Sequence, residues 1–240
     1  MTLKWLAAAS LAIALVPGHV HAQDVSAEVA GASPHAQLLD VMQSGIDEDR
    51  VLDNALAVVR SHWEADPNIV AAEARRPGLM DAMLGAAMPL LKRQNVDNKV
   101  TFRPKFVAAL RSVVNDSEAR EITAFYQTPI GRKMLQGVSQ NSDFSETIGS
   151  VVKDRSLSTE DVARDIDNAA IKTAQQMTAA DKAAMVEQLT SKPALQKLPA
   201  IQQAIMPVRM EMERSSMSPE FLAEMQSAIG AAAQRHMAGG

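Results

Sequence analysis

The 240-residue chain contains no cysteine. That excludes a disulfide framework, a thiolate metal site, a catalytic cysteine and a lipid-bearing N-terminal cysteine. Aromatic residues make up only 3% of the chain, so few large side chains are there to anchor a core. Beyond Val16 no apolar run is long enough to span a bilayer. Excess positive charge is lacking too: the net charge is −4, and the basic pairs Arg75-Arg76, Lys92-Arg93 and Arg132-Lys133 are scattered among acids, so they read as solvated surface and nothing points to nucleic acid. There is no Gly-rich phosphate loop, no His-Glu-x-x-His, no Gly-x-Ser-x-Gly and no calcium loop of EF-hand spacing.

What remains is ordinary globular material, 47% hydrophobic and 22% charged, rich in alanine (40 residues) and methionine (14 residues). Both lose little side-chain freedom in a helix, so the composition favours helix. Residues 1–22 read as a cleaved signal peptide. Lys4 supplies the positive end, Leu6 to Val16 the apolar run, Pro17-Gly18 a break, and Val20-His21-Ala22 the small residues before a cut at Gln23. As a helix that run rises only about 16 Å, half of a ~30 Å hydrocarbon core, so an anchor is disfavoured. The expectation is an exported, periplasmic protein with no transmembrane segment in its mature form.

From Ser33 onward the apolar spacing is helical and no sustained alternation of period two occurs. Phe102, Phe106, Ala109/Leu110 and Val113 form one stripe. Val162, Ile166, Ala170, Ala174 and Met177 form a second, and Leu222, Met225, Ile229 and Ala233 a third. Ser33-Pro34, Thr128-Pro129 and Ser218-Pro219 each place a capping hydroxyl before a first-turn proline. Ser158 to Asp161 and Thr178 to Asp181 have capping-box spacing. These signals predict helices over 34–45, 48–64, 68–75, 77–94, 101–114, 117–126, 129–153 (broken near Asn141), 159–176, 179–191, 193–214 and 219–237. Pro89, Pro199 and Pro207 are expected to kink or break theirs. The fold expected is an all-α, multi-helix bundle of antiparallel helices: a flexible arm at 23–32, then one helical domain over 33–237.

An internal echo suggests two related helical-hairpin halves, the second at about 160–215. A 64-residue offset sets Pro129 on Pro193, Ile122 on Val186, Phe125 on Leu189 and Lys133 on Lys197. Duplication and coincidence in an alanine-rich background both account for it.

The most distinctive stretch runs from Asn115 to Leu135. An acidic first turn leads to the apolar face Ile122, Phe125 and Tyr126, and Thr128-Pro129 ends one helix and starts the next. Gly131 then allows close approach to a neighbour, and Arg132 and Lys133 follow. The run Phe125-Tyr126-Gln127-Thr128-Pro129-Ile130-Gly131-Arg132-Lys133 after an acidic helix resembles the bacterial domain-of-unknown-function family numbered 2059, over about 97–155. The resemblance implies a secreted, largely helical protein and supplies no catalytic residues. Five of the aromatics, Phe102, Phe106, Phe125, Tyr126 and Phe144, fall in this region. At about 150–250 Å² each they offer roughly 4–6 kcal/mol of gross burial apiece, so this region is expected to be the packing centre.

Candidates for function are few, and no catalytic residue, cofactor or metal is assigned. Tyr126, Arg132 and Lys133 make a hairpin that could pack structurally or dock a partner. Met206, Met210 and Met217 could serve as soft-metal ligands, as an adaptable apolar groove or as core. His62, beside Trp63, Glu64 and Asp66, is the best single residue for an envelope hydrolase built from dispersed carboxylates, against the plainer reading of a helix C-terminal histidine stabilised by the dipole. Asp161 and Asp165 share a helix face that could form half of a metal site but reads as solvated surface. The function expected is a periplasmic binding or interaction protein, more a binder than an enzyme. Its partner would be an envelope protein or a small apolar ligand, with a Met/Ala-lined groove between helices as the site.

Overall fold

The hydroxyl-before-proline signals are helix caps. Ser33, Thr128 and Ser218 accept hydrogen bonds from the N–H groups of Ala36, Gly131 and Phe221. Asn115 with Glu118, Ser158 with Asp161 and Thr178 with Asp181 close full capping boxes. A computed structural model describes residues 33–239 except Asp154 and Met217, together with the backbone alone at Val151 and Val152. The expected signal peptide and arm, residues 1–32, lie outside the described residues.

Among the described residues there are eleven α-helices and no strand. They are α1 (Pro34–Ser44), α2 (Glu48–Glu64), α3 (Pro67–Arg75), α4 (Leu79–Arg111), α5 (Asp116–Tyr126), α6 (Pro129–Asn141), α7 (Ser145–Val152), α8 (Thr159–Gln176), α9 (Ala179–Ser191), α10 (Leu198–Ser215) and α11 (Pro219–Ala238). A 3-10 turn, Pro193–Lys197, precedes α10. The fold is all-α and multi-helical, as expected.

α4 is the spine. The two helices expected at 77–94 and 101–114 are one helix of 33 residues, about 50 Å long at 1.5 Å per residue. Its apolar stripe stops in the middle, where Asn95, Asn98 and Lys99 face inward instead. Asn95 Nδ2 and Lys99 Nζ both donate to the Glu48 carboxylate of α2, at 2.8 and 2.7 Å. Asn98 Nδ2 donates to Ser216 Oγ at 2.7 Å. A polar layer whose donors find acceptors on other segments, with Asn95 Oδ1 alone of these amides left buried without a partner among the described residues, lets α4 continue where periodicity alone predicts an end.

The polar waist separates two cores. One joins the first half of α4 to α2, α3 and α11 around Trp63, Phe144 and Phe221. The other joins its second half to α1, α5, α6, the 3-10 turn and α10 around Phe102, Phe106, Phe125 and Tyr126. The single packing centre expected around residues 102–144 is therefore corrected: that region anchors one core and lends Phe144 to the other.

None of the three prolines expected to kink or break a helix ends one. Pro89 and Pro207 lie inside continuous helices, and Pro199 sits in the first turn of α10, where a missing N–H costs nothing. Packing on both sides of α4 and α10 outweighs the roughly 3 kcal/mol of an internal proline. The expected 129–153 helix does break after Asn141. Asn54 of α2 donates to Ser139 O and Ser142 Oγ, both at 3.1 Å, and so holds the end of α6. The stripe expected on α8 is shifted: Asp161, Val162, Asp165, Ala169 and Thr173 are buried, while Ala170 and Ala174 are exposed.

Candidate functional site

α8 packs on α6 and α7, and α10 packs on α4. α8 and α10 meet where Val162 joins Met206, Met210 and Leu157 in a small apolar cluster. Elsewhere the helices leave a cavity of about 410 Å³ among α1, α4, α6, α8 and α10, within the ~300–1,000 Å³ typical of small-molecule sites. Its wall is mostly apolar, with Phe106, Leu110, Leu135, Ile201, Ile205 and Met206 prominent. Four methionines line it, Met42, Met134, Met206 and Met212, of which Met206 is one of the three singled out from sequence. The alanines of the wall are Ala169 and Ala170 of α8.

Four charged side chains reach this wall: Lys99, Asp143, Asp165 and Arg209. Asp165 is buried. Its two oxygens accept the N–H groups of Glu146 and Thr147 at 3.1 and 2.9 Å, which caps α7 from another helix. Desolvation raises its pKa against those bonds. Asp143 accepts from Ser145 and from Lys172 Nζ; desolvation pushes it up, and these partners bring it below its ordinary value. Burial pulls the Lys99 ammonium down to about 7, an effect its Glu48 partner at 2.7 Å opposes.

Arg209 is the exception. It is 5% exposed, yet among the described residues its hydrogen bond runs from Nε to Glu213 Oε1 at 3.5 Å, the outer limit of such a bond, with the Asp165 charge as a further attraction at longer range. Its Nη1 and the Glu213 Oε2 are both buried without partners. Desolvation raises the fully buried Glu213 to about 8, although the guanidinium beside it pulls the other way.

The residues singled out from sequence are dispersed. Tyr126 is 7% exposed, its phenol pushed up to about 12 by burial. It forms part of the cavity wall. Arg132 is exposed, and Lys133 pairs with Asp181 of α9. Met206 and Met210 pack in the cluster with Leu157 and Val162, as core methionines do; Met217 lies outside the described residues. His62 is not part of the cavity wall, and burial followed by the charge of Lys153 lowers its pKa. It is therefore held toward the neutral form, not the charged form that a helix dipole would favour.

Asp161 and Asp165 are 3% exposed each, which corrects the solvated face expected for them; both are helix caps. Among the described residues no group of three histidines and carboxylates could hold a metal ion. Of the basic pairs, Lys92 and Arg93 are surface residues tied to neighbouring helices: Lys92 meets Asp49 at 2.6 Å, and Arg93 meets Glu224.

Sequence reasoning missed Arg209 and Glu213, which look like one more solvated i,i+4 ion pair. The signal was present: 206, 209, 210 and 213 share one helix face, so the charges continue the stripe of Met206 and Met210. No curated protein and no solved structure matches the chain. Residues 101–139, from the second half of α4 through α5 to near the end of α6, match the DUF2059 family, described as an uncharacterized protein conserved in bacteria, and so bear out the resemblance carried by Phe125 to Lys133.

Proposed function

We propose that this is an exported, periplasmic binding protein that holds a small apolar molecule in the cavity among α1, α4, α6, α8 and α10. The observation that carries the reading is the cavity itself: a wall of aliphatic, aromatic and methionine side chains assembled chiefly from α1, α4, α6, α8 and α10, with Val51 of α2 and Tyr126 of α5. Methionine and leucine walls adapt to irregular apolar shapes. A ligand of this kind is favoured over docking of an envelope protein because Tyr126 is buried and Lys133 is engaged within the chain. It is favoured over hydrolysis because the carboxylates Asp143 and Asp165 at the wall serve as helix-end acceptors, and His62 lies elsewhere.

The test is saturable binding of the neutral fluorophore N-phenyl-naphthylamine to the purified protein. Ala170 lines the cavity while remaining exposed, so Ala170→Trp should fill the space without disturbing a packed core. Wild type should show one saturable site, and the variant should lose it with an unchanged melting temperature. Absence of saturation, or binding indifferent to the plug, overturns the reading. Export is tested separately by the mass of the protein recovered from the periplasm, which should begin at Gln23; a chain starting at Met1 overturns that part.

A further inference from the structure

The cavity is apolar along most of its wall, and the charged side chains Lys99, Asp143, Asp165 and Arg209 interrupt that surface. Of the four charged groups there, three have no buried polar atom left without a partner, although the Lys99 ammonium uses one of its three donors. Asp165 caps α7, Asp143 accepts from Ser145 and Lys172, and Lys99 is held by Glu48. Arg209 differs: a guanidinium carries five N–H donors, and here one long contact to Glu213 uses one of them, while Nη1 has none. A side chain this buried with an idle donor face is costly, unless something supplies an acceptor.

Resting on the cavity reading above, we propose that the ligand is a single-chain amphiphile with an anionic carboxylate head, its tail along Phe106, Leu110, Ile201 and Ile205 and its head on Arg209. The planar fork of arginine matches a carboxylate with two parallel hydrogen bonds. The low dielectric around the cavity strengthens that contact relative to water. Glu213 then plays a positioning role. Four residues along the same helix, it restrains the guanidinium from behind, and it is not part of the cavity wall.

Three ligands with one tail separate the possibilities: dodecanoate, dodecanol and dodecylamine, each competing with N-phenyl-naphthylamine at neutral pH. The expectation is that dodecanoate binds about ten-fold or more tightly than dodecanol, the increment of one charge-assisted contact. Dodecylamine should be the weakest of the three. The double variant Arg209→Met/Glu213→Met replaces the buried pair by apolar side chains of similar length. It should keep dodecanol affinity and lose the preference for dodecanoate. Equal affinity for all three in the wild type overturns the head-group assignment while leaving the apolar cavity intact. Preference for dodecylamine overturns it in favour of the Asp143 and Asp165 side. No competition by any of the three, with the fluorophore site also absent, removes the cavity reading itself. Because discrimination is measured first on the wild type, a variant that fails to fold does not decide the outcome.

Discussion

Phe125 has no exposed surface and sits in the last turn of α5, packed within the second core. Truncating it removes a full ring from a site that cannot collapse, and Phe125→Ala should cost about 3–5 kcal/mol in chemical denaturation; a loss under about 1 kcal/mol would show that the ring is no anchor. Gly131, six residues on, illustrates a different constraint. A Cβ there would lie 2.1 Å from the Phe125 carbonyl oxygen and 2.7 Å from the Tyr126 Cα. Both are backbone atoms, so the first turn of α6 would have to move off α5, and Gly131→Ala should destabilise by about 1–3 kcal/mol or more. Gly230 is the control, since nothing lies within 4 Å of its added Cβ in the middle of α11. Gly230→Ala should stabilise by about 0.5–1 kcal/mol through helix propensity alone. If the two substitutions shift the denaturation midpoint alike, close helix approach at Gly131 is not what the glycine serves. These residues were legible because aromatics at helical spacing and a glycine after a capped proline carry local signals. Asp165 was not, because its purpose is to cap α7, and that follows only from knowing that α7 begins at Ser145 beside it.

Between helices, the echo of the sequence takes a concrete form. Lys133 of α6 pairs with Asp181, the third residue of α9, and Lys197 of the 3-10 turn pairs with Glu118, the third residue of α5, at 2.7 Å. Each basic residue thus reaches the capping-box acid of the opposite hairpin. Reciprocity of this kind is what a duplicated unit folded against itself would produce. The halves nevertheless differ: Ile122 and Phe125 are fully buried under α1, whereas their echoes Val186 and Leu189 are 62% and 37% exposed. Ile122→Ala should therefore cost about 2–5 kcal/mol, and Val186→Ala should stay within about 0.5 kcal/mol of wild type. Comparable losses at both would mean that α9 is covered in solution. Helix starts were readable to within a residue wherever a cap preceded them, as at Thr159 and Ala179. The continuity of α4 was not, since Asn95, Asn98 and Lys99 look like a surface until their partners Glu48 and Ser216 come from distant segments.

For the molecule as a whole, the charges buried around the cavity should shape the dependence of stability on pH. Glu213 is raised to about 8 by desolvation, so the folded state holds a proton that the unfolded chain gives up near 4.5. Stability from this group is fully present below that value and is lost as pH rises through about 8. Lys99 works in the opposite sense: desolvation lowers it to about 7 against 10.5 when unfolded. Between those values the unfolded chain binds the extra proton, so stability rises with pH. On the acid side, desolvation raises Asp161, but hydrogen bonds from Ser158, Arg164 and Ser150 outweigh it and hold the carboxyl at about 2. Asp181 is held at about 2 chiefly by Lys133 and Thr178. Their stability is present above about 4 and lost as pH falls toward 2. The sum is a profile with its first maximum near pH 4–5, a dip around 7–8 and a recovery above it, unlike the common broad maximum between about 5 and 8. Urea midpoints measured across this range give the profile directly. Glu213→Gln should flatten the falling limb and Lys99→Met the rising one, each leaving the other in place, while Lys133→Met should raise the Asp181 carboxyl and shift the acid loss to higher pH. A single maximum at neutral pH, unmoved by either Glu213→Gln or Lys99→Met, would mean that these groups are solvated in the folded protein.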